Sequence, residues 1–359
     1  MQSNIKILYL YAEIMSYTEA TLKELENKNV ELHIVHWDKQ KITPYKISNT
    51  FKSKFYKRSN YDASNIRNLI KSISPNLIVV SGWMDKGYLN AIHNINKADI
   101  PIVCAIDGQW NNTPKQILAK ILGKLGYFKK YFSHAWVAGN YQYEFARNIG
   151  FEKKNIIYDL YSADVDKFHK VYQENLAEKY KSYPHKFLFL GRFEKTKNIL
   201  LLLDAWKLCE PYRKDWELIL IGNGSLKKNI ENNKDIIIKD FKQSDELLEE
   251  FKKYGCAILP SRSEPWGVVL HEFAASGLPI ICSNVCGAKT TFLIHGYNGY
   301  EFEYNSASSL SLQMKKIINL SNSNLQNMSY KSLNLSKRIS PTTSAANLLS
   351  IVLKNDEKK

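Results

Sequence analysis

The chain has 359 residues, beyond the roughly 250–300 at which one hydrophobic core stops growing, so two domains of ordinary size are expected. Its 44% hydrophobic and 24% charged residues are ordinary globular values, and no apolar run reaches the ~20 residues needed to span a bilayer, which excludes a helical membrane span. A formal net charge of +15 favours a phosphate-bearing partner, whether a nucleotide, a nucleic acid or an anionic lipid.

The opening stretch MQSNIKILYLYAEIM has a short apolar run but no basic leader followed by a small-residue cleavage site. It is read as a first strand, and a cytoplasmic location is expected. From there, short β-branched or aromatic runs alternate with helix-length amphipathic segments, the pattern of βα units and parallel sheets. The first set of strands is expected at 5–11, 30–37, 76–82, 101–107 and 134–139. The second is expected at 186–191, 216–222, 235–240, 256–260 and 279–283. Each set makes one doubly wound sheet, so the fold class is α/β with two Rossmann-like parallel-sheet domains. Residues 169–185, polar and of mixed charge, are read as the linker between a first domain over 1–168 and a second over 186–340. A cleft between the two is the natural ligand site. The Asn/Ser-rich stretch 319–336 is read as a surface helix pair. Cysteines at 104, 209, 256, 282 and 286 lack the spacing of a zinc site and are read as reduced packing residues.

The chemistry concentrates in the second half. In SRSEPWGVVLHEFAASGLPII, Pro265 and Gly267 mark a turn directly after a strand, and a short helix follows that Gly277 caps. Glu264 is thereby placed at a helix N-terminus beside the carboxyl end of a strand, where open α/β sheets bind ligands. A favourable helix-dipole interaction of about 0.3–1 kcal/mol is its alternative use. Glu272, two turns into the helix, lies among apolar residues, where a carboxylate is costly unless paired or facing a ligand. A carboxylate there can accept two hydrogen bonds from a vicinal diol such as a ribose. In FLGRFEKTKN, backbone near Gly191 can approach a phosphate, while Arg192 offers a planar fork and Lys197 a point charge. The stretch IGNGS, with Gly222 and Gly224, is either a loop lining a nucleotide site or a plain tight turn.

Together with GYNGYEF, these segments cover most of residues 186–303 and resemble the retaining nucleotide-sugar glycosyltransferases of family four, which have two Rossmann-like domains facing across a cleft. The resemblance implies transfer of a sugar from a nucleoside-diphosphate sugar with retention at the anomeric carbon, without a metal or other cofactor. It implies that Arg192 and Lys197 hold the donor diphosphate and stabilise the leaving group, that Glu264 faces the donor sugar, and that Glu272 takes the ribose hydroxyls. Backbone amides around Gly267 and Val268 would add to the phosphate site. In relatives a last helix, here 341–359, returns to the first domain. Assembly of bacterial surface polysaccharide (lipopolysaccharide, capsule or exopolysaccharide) is the expected setting.

The first half departs from the family. The turn after its first strand, YAEIMSYTEAT, has no glycine, and CAIDGQWNN lacks the histidine of the usual His-Asp pair. Asp107 is either an acceptor-side residue or a turn-forming aspartate. Trp83 either stacks on a sugar or packs in the core. Asp164-Val165-Asp166 is assigned no metal, His134 is read as a core or turn histidine, and His271 as either near the donor or on the helix surface.

The positive charge gathers in two places, both of them candidates for contact with an anionic membrane surface. Residues 39–61 hold seven Lys or Arg and no acid, and residues 114–132 hold five lysines and no acid. In the second, Ile117, Leu118, Ile121, Leu122, Leu125 and Phe128 recur at helical spacing, an apolar face rimmed by lysine that can lie on an anionic leaflet or pack on the sheet. A lipid-linked saccharide acceptor at the inner membrane surface is expected, and no nucleic acid. The rivals are a sugar-nucleotide epimerase or phosphorylase of the same fold and a basic nucleic-acid- or membrane-binding protein without enzyme activity.

Overall fold

The computed structural model describes residues 5–39, 45–48 and 50–356. The chain divides into two compact units, Met1–Ser162 with Ile339–Lys359, and Ala163–Arg338. In the first, β1 (Lys6–Tyr11), α1 (Ser16–Asn27), β2 (Glu31–His36), β3 (Lys54–Lys57), α2 (Ala63–Ile73), β4 (Leu77–Val80), α3 (Lys86–Ile92), β5 (Ile102–Ile106), α4 (Pro114–Lys124), β6 (His134–Val137), α5 (Asn140–Asn148) and β7 (Ile156–Ile157) follow in order. The strands form a parallel sheet in the order β3-β2-β1-β4-β5-β6-β7. β4 and β5 are buried along their whole length, as expected of parallel strands covered on both faces.

The second unit runs α6 (Val165–Lys181), β8 (Lys186–Leu190), α7 (Ile199–Leu208), β9 (Glu217–Ile221), α8 (Lys227–Ile230), β10 (Ile237–Lys239), α9 (Ser244–Phe251), β11 (Cys256–Leu259), α10 (Val269–Ala275), β12 (Ile280–Ser283), α11 (Lys289–Phe292), β13 (Gly299–Phe302), α12 (Ala307–Ile318) and α13 (Asn322–Ser336). Its sheet, also parallel, has the order β10-β9-β8-β11-β12-β13. The order reverses between β8 and β11, and the loops at the carboxyl ends of those two strands flank the crevice where doubly wound sheets take ligands. The last helix, α14 (Pro341–Asp356), packs on α1 in the first unit, with Leu348, Ile351 and Val352 buried.

Four sequence readings change. Residues 169–185 are not a polar linker, because most of them form α6, which packs on α9, α10 and α13. The buried stripe begins at Val165 and Phe168, ahead of the polar segment, and continues through Val171 and Tyr172. The first domain accordingly ends at Ser162 rather than residue 168. The stretch 319–336 supplies α13, which packs on α10 with Leu325, Met328 and Leu333 buried, not a surface pair. Residues 39–61, read as a membrane-facing basic segment, include the edge strand β3, whose Lys54 pairs with Glu31 at 3.1 Å. Arg58 just beyond it forks onto Asp85 at 2.9 and 3.0 Å, so part of this charge is neutralised within the unit. Residues 40–44 and 49 of that segment lie outside the described residues. All five cysteines are buried free thiols.

Candidate nucleotide-sugar site in the second unit

The loop after β8 carries Gly191, exposed Arg192 and Lys197, and the loop after β11 carries Glu264. Because β8 and β11 are neighbours, the two loops meet. The Arg262 N–H donates to the Thr196 carbonyl at 2.8 Å, and the Lys197 ammonium pairs with the Glu264 carboxylate. Only 16% and 11% of these two side chains are exposed, so the pair is substantially desolvated. The Ser261 hydroxyl donates to the same Glu264 oxygen at 2.9 Å. Lys197 and Glu264, read from sequence as separate contacts to diphosphate and sugar, are thus one ion pair.

The other loops hold this pair in place. Gly287 N–H donates to the Glu264 carbonyl at 3.1 Å and Ala288 N–H to the Trp266 carbonyl at 2.8 Å, which ties the turn to the loop after β12. Gly267, at φ +89°, completes the turn, and a Cβ there would lie 2.9 Å from Glu264 Cγ, so the glycine makes room for the acid. After β9, Gly222 sits against the β8 loop so closely that a Cβ would lie 1.9 Å from the Gly191 carbonyl oxygen. Gly224 lies against the Phe193 backbone in the same seam. The seam is closed by Phe193 N–H donating to the Asn223 carbonyl at 2.8 Å. Ser225 adds its N–H and hydroxyl, donating to Glu194 at 3.0 and 2.7 Å and holding that carboxyl below its usual range.

Val268 is helical in backbone but α10 proper starts at Val269, so Glu272 lies in its first turn, not two turns in. The preceding bonds, Leu270 N–H to Gly267 O and His271 N–H to Val268 O, are those of a tighter turn. Among the described residues the Glu272 carboxylate has no hydrogen-bond or ion-pair partner, and burial pushes its pKa up to about 7 from 4.5. A carboxylate that is partly desolvated and unpaired, on the loop-helix junction of a ligand-binding crevice, has the character of a ligand contact.

His271 takes neither role expected for it. It is fully buried, its Nδ1 accepts from Ala163 N–H at 3.0 Å, its Nε2–H donates to the Ser336 carbonyl at 2.9 Å, and its ring stacks on Phe292. Burial pulls its pKa down to about 3 from 6.5, so it is a neutral tie joining the start of α6, α10 and the end of α13. The folded state then resists a proton that the unfolded chain accepts. Stability should fall as pH drops below 6.5 towards 3, with a slope of up to about 1.4 kcal/mol per pH unit from this one site. Glu272, whose carboxyl is raised to about 7, titrates with the opposite sign between pH 4.5 and 7, so urea unfolding at pH 5, 6 and 7 is compared in the Glu272→Gln background, which should show this slope and lose most of it in His271→Gln/Glu272→Gln; equal slopes would remove His271 as the cause.

In the first unit, Asp107 follows β5. Its carbonyl accepts from Gln142 Nε2 at 3.2 Å, and its Oδ2 faces the Tyr161 hydroxyl at 3.4 Å. Tyr161 stacks edge-on with Tyr17 at 4.7 Å. The sequence reading passed over these two tyrosines because neither lies in a motif; 54 residues separate Tyr161 from Asp107. Trp83 packs on Phe128 and Phe145, at 4.9 and 6.0 Å between ring centres, the packing alternative for that residue. Asp164 precedes α6 without a side-chain capping bond and pairs with Lys167 at 3.6 Å, and His134 opens β6 with Nδ1 2.9 Å from Ser133 Oγ.

Residues 173–333, nearly all of the second unit, match the family model described as glycosyl transferases group 1. Over that range the chain is similar to the glycosyl transferases group 1. An uncharacterized glycosyltransferase of Methanocaldococcus jannaschii is 28% identical over 322 residues, 85% of this chain and 84% of that one. A capsular polysaccharide biosynthesis glycosyltransferase of Staphylococcus aureus is 24% identical over 187 residues, 48% of each chain. Among solved structures, a glycosyltransferase from Rickettsia africae superposes with a TM-score of 0.73 at 15% identity, covering 99% of this chain and 100% of that one. Anabaena HepE, solved in complex with UDP, gives 0.70 at 14% identity, covering 98% and 100%. At these identities the two structures show a shared fold, which this chain carries over almost its whole length.

Proposed function

We propose that this chain is a glycosyltransferase of group 1 that moves a sugar from a nucleoside-diphosphate sugar to a saccharide acceptor, lipid-linked, in assembly of a bacterial surface polysaccharide at the cytoplasmic side of the membrane. The observation that carries the reading is the pairing of Lys197 with Glu264 across the β8–β11 crevice, together with a Glu272 carboxylate in the first turn of α10 that has no hydrogen-bond or ion-pair partner among the described residues. The capsular relative supports the polysaccharide setting, and the UDP held by HepE supports a nucleotide donor. Arg192 and Lys197 receive the diphosphate, Glu264 orients Lys197 and faces the sugar, and Glu272 accepts from the ribose diol. Backbone at Gly191, Gly222, Gly224, Gly267 and Val268 shapes the phosphate end.

In this reading the acceptor hydroxyl oxygen bonds to the anomeric carbon as the bond from that carbon to the diphosphate breaks. The proton passes to the departing phosphate oxygen on the same face, so configuration is retained and no metal is required. Asp107 and Tyr161 are the acceptor-side candidates. The test is thermal unfolding with UDP, GDP, ADP, CMP and dTDP, followed by release of the stabilising nucleoside diphosphate with and without a saccharide acceptor. One nucleotide at ~100 times its dissociation constant should add about 2.7 kcal/mol of stability. No stabilisation by any of them sinks the donor site; stabilisation without release of nucleoside diphosphate when acceptor is present favours an epimerase or phosphorylase; a trapped covalent glycosyl-enzyme sinks the same-face displacement.

A further inference from the structure

Helix α4 is turned inside out relative to an ordinary surface helix. Its large apolar residues Ile117, Leu118, Ile121 and Leu125 (the last at its C-terminal cap) are 48, 57, 53 and 78% exposed, whereas its buried residue is Gly123. The cause is a close backbone approach. A Cβ on Gly123 would lie 2.1 Å from the Ile149 carbonyl oxygen, so only the glycine side of α4 can face the unit. At 100° per residue, Ile117, Ile121, Leu125 and Leu118 then fill one continuous outward arc of about 100°, with Lys124 at one edge and Lys115 towards the other. Lys115, Lys120, Lys124 and Lys130 make no ion pair among the described residues, while Lys129 is paired with Glu152.

We propose that this face of α4 docks the protein on an anionic lipid bilayer, lying in the plane of the headgroups with the four aliphatic side chains in the acyl boundary and the lysines among the phosphates. An exposed aliphatic arc needs an apolar partner, and an acid-free lysine margin needs a negative one. An anionic leaflet supplies both. A second copy of the same face would bring lysine against lysine, and a nucleic acid would offer phosphates but nothing for Ile117, Leu118, Ile121 and Leu125 to enter. The surface lies in the first unit and does not depend on the donor-site assignment.

The test is co-sedimentation of the full chain with vesicles of phosphatidylcholine containing ~30% phosphatidylglycerol, against pure phosphatidylcholine, at low and high salt. The variants are Leu118→Ser/Leu125→Ser and Lys115→Gln/Lys124→Gln, all at exposed positions, with thermal unfolding as the check that each folds. The wild type should partition at least about tenfold more strongly onto the anionic vesicles, and each double variant should lose about tenfold of that binding. Thermal stabilisation by nucleotide should stay unchanged in both variants, which separates this proposal from the donor site. Equal wild-type binding to both vesicles, absence of binding, or variants that bind like the wild type overturn it. A wild-type dimer that the serine variant abolishes, without vesicle binding, assigns the face to a second copy and overturns it as well.

Discussion

Glu272→Gln is expected to unfold at a higher temperature than the wild type while binding the donor nucleotide about 10- to 100-fold more weakly. The first effect follows from the raised pKa of the carboxyl, about 7 in the folded chain against 4.5. A folded state that holds this proton more tightly gains stability below pH 4.5 and loses it progressively as pH rises to 7. Above pH 7 the whole desolvation cost remains. Allowing for partial solvent access, removing it is worth about 1–2 kcal/mol, or roughly 2–6 °C in a unit of this size. The second effect follows from losing a charged acceptor for two hydroxyls, each such hydrogen bond contributing about 1.5–3 kcal/mol when unopposed. At a nucleotide concentration ~100 times the wild-type dissociation constant, ligand stabilisation should fall from about 2.7 to about 0.4–1.4 kcal/mol. Wild-type affinity should also weaken below pH 7 as Glu272 protonates, and the glutamine variant should not follow. A variant that is less stable and binds normally would make Glu272 a structural residue.

Lys197→Met should lower kcat by about 10²–10³-fold, the usual loss when a group stabilising developing charge is removed. It should also destabilise the chain, because the Glu264 carboxylate, largely shielded, loses its ammonium counter-charge. Glu264→Gln in the same chain should return part of that stability, since the stranded charge is then gone. The double-mutant cycle should therefore show a coupling of about 1–3 kcal/mol in unfolding free energy. Activity behaves differently: the double variant should remain as inactive as Lys197→Met, because neutral partners supply nothing to a leaving diphosphate. Coupling below about 0.5 kcal/mol would reduce the ion pair to a surface contact. Full activity in Lys197→Met would take the lysine out of the reaction.

What could be read from the sequence follows from how local each feature is. The ten strands that the pattern announced are runs such as Ile102–Ile106 and Leu77–Val80, buried on both faces and therefore continuously apolar. β3 escaped because Lys54 and Lys57 bracket Phe55 and Tyr56 in a half-exposed edge strand, and β7 because it consists of Ile156 and Ile157 alone. β13 opens with Gly299 and includes Glu301, and it was recognised as part of a motif without being recognised as a strand. For α6 the window began after Val165 and Phe168, which cut the stripe that identifies it. At the site, Gly191, Arg192, Lys197, Glu264 and Glu272 were all legible as residue types in context. Their mutual contact was not, because Lys197 and Glu264 are 67 residues apart and meet only because the strand order places β8 beside β11. His271 shows the same limit: both of its hydrogen bonds go to backbone groups, Ala163 and Ser336, that no motif could name.

The division of the chain has a bearing on its birth. The second unit is contiguous, Ala163–Arg338, whereas the first takes its final helix from the far end of the sequence. During synthesis the residues of the first sheet emerge earliest, yet Leu348, Ile351 and Val352, which belong to the helix packed on α1, have not been synthesised when Arg338 is added. The order of translation and the order of completion are therefore opposite. The second unit can close as soon as it leaves the exit tunnel, and the unit bearing the exposed α4 face is the last to be finished.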